Sequence, residues 1–141
     1  MNVTKNFTLE ELTKSATANL LKIDNVPNEQ IKAELTKLCT ELLQPIRDKY
    51  GKPIIVSSGY RSEALNKAVG GSKTSQHRFG QAADIKASDG NQRALWDVIK
   101  SMIDNGEIKQ FGQLIWEKGN LASPQWIHIS TGTKNQILYL R

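Results

Sequence analysis

The longest hydrophobic repeat of the chain lies in its first third. Apolar residues recur there at helical spacing, at Ile31, Leu35, Leu38, Leu42, Leu43 and Ile46. Such a stripe predicts a helix that packs against the protein core. Pro45 is expected to kink or shift the helix near its end, because proline lacks the N–H that a helix requires. Residues 50–53, Tyr-Gly-Lys-Pro, are expected to end it.

The N-terminal segment carries a helix-start signal. Thr8 precedes Glu11 by three residues, which is the spacing of a capping box, and Phe7 and Leu12 are placed to form the accompanying hydrophobic staple. We therefore predict a short helix that starts at Thr8 and contributes to packing.

Strand patterns dominate the remainder of the chain. The β-branched run at 54–58 predicts a buried strand, and a second strand is expected at 82–86. Helices are predicted from Ser62 to Val69 and around the apolar positions Leu95, Val98, Ile99 and Met102. The segments 113–117, 125–130 and 136–140 are predicted to form an antiparallel meander. This order indicates an α+β fold, with a small antiparallel sheet packed by N-terminal and central helices.

Length and composition indicate one globular domain, residues 1–141, with 38% hydrophobic and 23% charged residues. No apolar run approaches the length of a membrane span, so membrane insertion is not expected. The N-terminus lacks a basic segment followed by an apolar one, so we expect synthesis in the cytoplasm without a signal peptide. Cys39 is single and falls on the apolar side of a predicted helix, where it is expected to be buried.

The net charge of +5 suits an anionic polymer, either nucleic acid or a cell wall rich in carboxylate and phosphate. The basic residues are scattered, however, and no Lys/Arg run or basic stripe with interleaved aromatic residues occurs. Nucleic acid is therefore the weaker expectation as a partner.

The chain contains only two histidines, His77 and His128. His77 is followed by Asp84 with six residues between them, and His128 lies in the predicted strand 125–130 on one face with Trp126 and Ser130. Two imidazoles and one carboxylate, with a fourth position open, are typical of catalytic zinc. The alternative is that both histidines are ordinary surface or hydrogen-bonded side chains.

Three sequence motifs together resemble a known family, the M15 zinc peptidases of bacterial cell walls. They are Ser-Ser-Gly-Tyr-Arg-Ser at 57–62, Ser-x-His-x2-Gly-x-Ala-x-Asp at 75–84 and Trp-x-His-x-Ser at 126–130. The resemblance covers most of the chain, and residues 7–12 and 43–47 also look like the small, often phage-encoded branch. It implies the fold that D-alanyl-D-alanine peptidases share with the hedgehog signalling domain.

The resemblance also implies roles for individual residues. His77, Asp84 and His128 would bind one zinc ion per chain. Arg61 would hold a substrate carboxylate or the oxyanion of the reaction, or else form a structural ion pair. Ser75 and Gln76 would hydrogen-bond around the site, and Trp126 would wall the pocket.

One position departs from the family pattern. Many relatives carry a glutamate three residues before the last histidine ligand, as general base, and here that position is Gln125, which has no titratable proton. Others carry a histidine two residues before, where this chain has Trp126. We therefore predict Glu117 as the base, although a hairpin glutamate can also simply face solvent. Asp89 and Glu107 are poorer candidates.

These inferences predict a monomeric zinc peptidase that cleaves peptidoglycan peptides, for example a phage or prophage lysin that reaches the wall after release. Carboxypeptidase and endopeptidase activity both remain open. The alternative is a non-catalytic zinc-containing binding or structural module of the same fold, which the absent glutamate at position 125 supports. A basic nucleic-acid-binding domain is a third, weaker hypothesis.

Overall fold

A five-stranded sheet, covered by helices on one face, carries the candidate site residues. The computed structural model describes residues 1–140. The helices are α1 (Leu9–Thr13), α2 (Ala16–Leu21), α3 (Glu29–Leu38), α4 (Gln44–Tyr50), α5 (Glu63–Ala68) and α6 (Gln92–Asp104). The strands are β1 (Asn2–Thr4), β2 (Phe7–Thr8), β3 (Ile54–Ser58), β4 (Ala82–Ala87), β5 (Gln113–Glu117), β6 (Trp126–Ser130) and β7 (Gln136–Leu140). The α+β class is confirmed.

The predicted core helix is present, and its irregularity lies where proline was expected to disturb it. A π-helical segment, Cys39–Leu43, joins α3 to α4, and the Gln44 N–H donates to the Cys39 carbonyl five residues back. Pro45 stands at the start of α4. The wider turn fits a proline that can neither donate to the preceding turn nor approach its carbonyl closely.

The N-terminal segment is tied down as the capping box predicts. The Thr8 hydroxyl accepts from the Glu11 N–H, and the Glu11 carboxylate accepts from the Thr8 N–H. Phe7 and Leu12 are both buried in the core. Strands β1 and β2 form a small antiparallel pair in front of this helix.

The two faces of the main sheet have different roles. Its strand order is β3-β4-β6-β5-β7. Alternate residues of β4 and β6 lie in the core with the helices, namely Ala83, Ile85, Ala87, Ile127 and Ile129. The opposite face carries Asp84 and His128, because successive side chains of a strand point to opposite sides. Ala83 therefore faces the core, on the side of the sheet opposite to Asp84 and His128.

The predicted meander is wrong at its last strand. Strand β7 pairs with β5 in parallel, whereas β5 and β6 are antiparallel. The connection after β6 crosses the start of β5 and is fastened there by Asn135. Its N–H donates to the Phe111 carbonyl at 2.9 Å, and its side-chain oxygen accepts from the Phe111 N–H at 2.9 Å. The main sheet is consequently mixed.

Among residues 1–140, no helix combines the length and the apolar character that crossing a membrane requires. The longest, α6, has 13 residues and a polar side.

Candidate metal centre

Three side chains converge at the open face of the main sheet. His77 lies on a single 3₁₀ turn, Gln76–Phe79, and its own N–H donates to the hydroxyl of the capping residue Ser75. Asp84 lies on β4, directly opposite His128 on the antiparallel strand β6. The turn ends at Gly80, whose φ of 70° is easily adopted by glycine and lets the chain double back into β4.

The donor atoms are spaced as a tetrahedral metal ion requires. One carboxylate oxygen of Asp84, Oδ1, lies 3.0 Å from His128 Nδ1 and 3.4 Å from His77 Nε2. The three donors all lie within 4.8 Å of one another. Zinc bonds of about 2.0–2.1 Å at tetrahedral angles place neighbouring ligand atoms roughly 3.3 Å apart. The nitrogen and oxygen donors therefore fit zinc in both type and spacing.

A backbone carbonyl fixes the tautomer of His77. His77 Nδ1 lies 2.7 Å from the Gly59 carbonyl oxygen, which can only accept, so Nδ1 carries the proton. The lone pair of Nε2 is then directed toward Asp84 and a metal. Such a carbonyl partner orients a ligand ring and makes it a better donor.

Gly59 allows the carbonyl to reach this position. A Cβ at residue 59 would lie 2.2 Å from the Leu12 carbonyl oxygen, at the end of α1. The same oxygen accepts from the Tyr60 N–H at 2.7 Å. The end of the N-terminal helix is therefore in direct contact with the loop that orients His77.

The candidate carboxylate ligand is held in its charged form. Burial by itself disfavours ionisation of Asp84, but the hydrogen bonds and charges of His128 and His77 outweigh it and hold the pKa well below its usual value. The site thus presents the ionised carboxylate that metal ligation needs.

Glu117 lies in the same cleft. It ends β5 opposite Trp126, two cross-strand pairs along from the pair of Ile115 with His128. This register turns Glu117 toward the cleft, a space of about 350 Å³ that both the three donors and Glu117 line. Burial, and then the negative charge of Asp84, raise the pKa of Glu117. Among residues 1–140, Glu117 forms no salt bridge.

Arg61 borders the cleft as an unpaired cation. Its guanidinium donates to the Ser75 hydroxyl at 3.5 Å, and within the part of the chain described it has no carboxylate partner. Its Nε is buried without a hydrogen-bond partner. The structural ion pair considered from the sequence is therefore not observed, and the guanidinium retains unused donors beside the donor cluster.

Asn25 also supports the site, although no sequence motif indicates this role. Its side-chain nitrogen donates to the Tyr60 carbonyl at 3.0 Å, and its oxygen accepts from the Ser62 N–H at 2.7 Å. The same nitrogen also donates to the Thr13 carbonyl at 2.7 Å. Because Tyr60 and Ser62 flank Arg61, this one side chain fixes the backbone on both sides of the arginine.

Other predicted residues divide between the cleft and the surface. Ser75, Gln76 and Trp126 line the cleft. The Ser75 hydroxyl also accepts from the His77 N–H at 3.2 Å, and Gln76 donates to the Thr131 carbonyl at 3.0 Å. Gln125 is exposed and does not line the cleft.

The two poorer carboxylate candidates lie elsewhere. Asp89 accepts from Tyr50 and pairs with Lys52, while Glu107 pairs with Lys49. Neither residue lines the cleft. Both carboxylates are thus engaged at the surface, which leaves Glu117 as the acidic side chain of the cleft besides Asp84.

We predict that each chain binds one zinc ion and that His77→Ala and His128→Ala each abolish stoichiometric binding. Removing either histidine takes away one of the three donors. Elemental analysis of the purified proteins measures the zinc, and thermal unfolding of the parent should shift upward with zinc because the ion binds the folded state. Undiminished zinc in both variants would contradict the assignment.

We predict that Gly59→Ala weakens zinc binding about 10- to 100-fold, the usual effect of losing a partner that orients a ligand. The added methyl group must displace the loop from Leu12 and with it the carbonyl that holds His77. Chelator competition measures the affinity. Gly106→Ala is the control for a destabilising glycine replacement away from the site, because residue 106 has a φ of 82°, which strains alanine, but no atom within 4 Å of the added carbon. An equal loss of affinity in both variants would mean that only stability had changed.

Comparison with known proteins agrees with this geometry. Residues 5–130 match the family model described as Peptidase M15. A curated relative, the zinc D-Ala-D-Ala carboxypeptidase of Streptomyces albus G, is 48% identical over 46 residues, which are 32% of this chain and 18% of the relative. The chain thus spans less than a fifth of that relative's length. The family match and the His-Asp-His donor set support zinc as the cofactor. The chain belongs to the peptidase M15 family.

Proposed function

We propose that this protein is a zinc-dependent peptidase that hydrolyses peptide bonds of bacterial peptidoglycan. The observation that carries the proposal is one cleft lined by a complete His-Asp-His donor set, a carboxylate with a raised pKa and an arginine without a carboxylate partner. Membership of the M15 family and the carboxypeptidase activity named for the curated relative support the substrate class. We also propose that residues 1–141 form one domain with the hedgehog/DD-peptidase architecture.

His77, Asp84 and His128 would hold the zinc ion. When bound, zinc supplies a Lewis acid that polarises the scissile carbonyl and lowers the pKa of water. The residues around it must therefore move one proton and stabilise one developing negative charge.

Glu117 is the proposed general base. It takes a proton from the attacking water and delivers it to the leaving amine nitrogen. Burial and the charge of Asp84 raise its pKa, which brings its proton affinity closer to the range useful near neutral pH. Gln125 has no proton to exchange and lies outside the cleft.

Arg61 is proposed to stabilise the oxyanion that forms from the scissile carbonyl. Its guanidinium is partly buried, where a fixed donor acts more strongly on a developing charge than it would in water. Burial lowers the pKa of Arg61, yet an arginine stays protonated in proteins. The guanidinium is held beside the cleft by its hydrogen bond to Ser75. The hydrogen bonds of Asn25 to the backbone of Tyr60 and Ser62 hold the chain on either side of Arg61.

The proposed setting is a phage or prophage lysin that acts on the cell wall as a monomer. The net charge of +5 supports an anionic wall polymer as partner. Incubation of the zinc-loaded protein with purified muropeptides, followed by mass spectrometry, tests the activity. Absence of any cleavage would favour the non-catalytic module of the same fold.

We predict that Glu117→Gln retains zinc and loses about 10²- to 10⁴-fold in turnover, the usual contribution of a positioned base. The substitution keeps the size of the side chain and removes its ability to accept the proton. Gln125→Ala is the matched control and should keep most activity and all its zinc. Muropeptide cleavage and elemental analysis are measured on both; full activity in Glu117→Gln would exclude it as the base.

We predict that Arg61→Lys folds and retains zinc but loses about 10²- to 10³-fold in turnover, as expected for removal of an oxyanion donor. Lysine keeps the charge but cannot reproduce the planar, forked set of donors. Lys86→Arg, on β4, is the comparison variant: it exchanges lysine for arginine at a residue that does not line the cleft. Parent-like turnover in Arg61→Lys would assign Arg61 a structural role.

A further inference from the structure

One part of the cleft lining comes from a loop outside the sheet, residues 71–75, which we call the hydroxyl loop. Among residues 1–140, the hydroxyl side chains that line the cleft all belong to it, and they are those of Ser72, Thr74 and Ser75. The Ser75 hydroxyl is engaged, because it accepts from the His77 N–H at 3.2 Å. Ser72 and Thr74 are exposed, so their hydroxyl groups are the ones open to a bound ligand.

The hydroxyl loop is a tight turn organised around Ser72. The Ser72 hydroxyl oxygen accepts from the Thr74 N–H at 3.3 Å and lies 3.1 Å from the Thr74 hydroxyl oxygen. The Ser72 carbonyl accepts from the Ser75 N–H at 3.0 Å. The position of Ser72 therefore determines where the hydroxyl groups of Thr74 and Ser75 lie in the cleft.

Ser72 is held from outside the loop by Asn66 of α5, a residue that is only 3% exposed. The side-chain nitrogen of Asn66 donates to the Ser72 carbonyl at 2.8 Å, and its backbone carbonyl accepts from the Gly71 N–H at 2.8 Å. The next carbonyl of the loop, that of Lys73, accepts from the guanidinium of Arg78. Two consecutive carbonyls are thus fixed by side chains that lie outside the loop.

Packing alone does not explain an asparagine at position 66. Its side-chain oxygen is buried and, within residues 1–140, has no hydrogen-bond partner. A buried polar atom without a partner lowers stability, so an apolar side chain would destabilise the fold less. The amide also requires a glycine beside it, because a Cβ at residue 71 would lie 2.1 Å from the Asn66 oxygen. What this unfavourable arrangement achieves is a fixed position for the hydroxyl loop.

We propose that Ser72 and Thr74 bind the substrate peptide through their hydroxyl groups, and that Asn66 is the positioning residue that holds them in place. The inference rests on the proposed function and adds substrate-binding residues to it. A hydroxyl group both donates and accepts, so it suits the N–H and C=O groups of an extended peptide. Such bonds form with the bound substrate and with the transition state alike, and their loss should raise KM more than it lowers kcat.

The first test removes one hydroxyl group from the loop. Thr74→Val keeps the shape of the side chain and should raise KM for a muropeptide about three- to tenfold, the usual effect of losing one hydrogen bond, with unchanged zinc content and kcat within about threefold. Thr74→Ser restores a hydroxyl group and should recover most of the loss. Thr36→Val, whose hydroxyl donates within α3, is the control and should match the parent. Parent-like KM in Thr74→Val would overturn the substrate-binding role.

The second test is a double-mutant cycle across the contact of Asn66 with Gly71. Gly71 has no positive φ, so alanine meets no backbone strain there, but its methyl group must displace either the amide or the loop. Gly71→Ala and Asn66→Ala should each retain zinc and raise KM about tenfold, and the double variant should be no worse than Asn66→Ala alone, because the methyl group then meets no amide. Losses that add would overturn the positioning role.

Amide hydrogen exchange measures the loop without any substrate. In Asn66→Ala the N–H groups of Gly71 and Ser75 should exchange about tenfold faster or more, because the loop opens more easily. The N–H of Arg61, which donates to the His77 carbonyl at 3.0 Å, is the internal reference and should not change. Unchanged exchange at Gly71 and Ser75 would overturn the positioning role whatever the activity. Absence of cleavage by the parent would count against the proposed function, and with it against the substrate-binding role of the loop.

Discussion

The register between β4 and β6 is the constraint on which the site depends. Asp84 and His128 face each other across these strands, and their neighbours Ala83, Ile85, Ile127 and Ile129 point into the core. A slip of β6 by one residue would place His128 against the helices and turn Ile127 and Ile129 to the open face. Burial of the apolar residues therefore selects the register that brings two metal donors within 3.0 Å of each other. One strand register therefore satisfies both the packing of the core and the geometry of the metal site.

The third donor depends on a different part of the chain. His77 is held by the Gly59 carbonyl, and Gly59 lies against the end of α1. The position of the N-terminal helix is fixed in turn by Phe7 and Leu12 in the core. Zinc binding is thus expected to couple to docking of the N-terminal segment, because the ion joins two sheet residues to a loop that this segment supports. Loss of metal would remove this link, although the hydrogen bond from Gln76 to the Thr131 carbonyl would still join the loop to the end of β6.

Local sequence signals predicted the elements that depend on local interactions. The capping box at Thr8, the stripe from Ile31 to Ile46 and the strand that carries His128 were all readable, because each follows a fixed spacing. The bounds of β7 were predicted correctly, but its direction was predicted wrongly, because the pattern of a strand does not reveal whether its neighbour runs parallel. The role of Asn25 was unreadable because its partners are backbone atoms at 13, 60 and 62. Helix α2 was missed because Leu20 and Leu21 are exposed and form no buried stripe.

The location of the proposed base also follows from strand alternation. Trp126 is two residues before His128 and shares its face, so Gln125 belongs to the opposite alternation and lies outside the cleft. On the neighbouring strand β5, Glu117 pairs with Trp126 and places its carboxylate in the cleft. Asp84 is committed to the two histidines, whereas Glu117 has no salt bridge among residues 1–140. A carboxylate free of such a partner can exchange a proton without dismantling the donor set, and this difference separates the metal-holding role of Asp84 from the proposed proton-transfer role of Glu117.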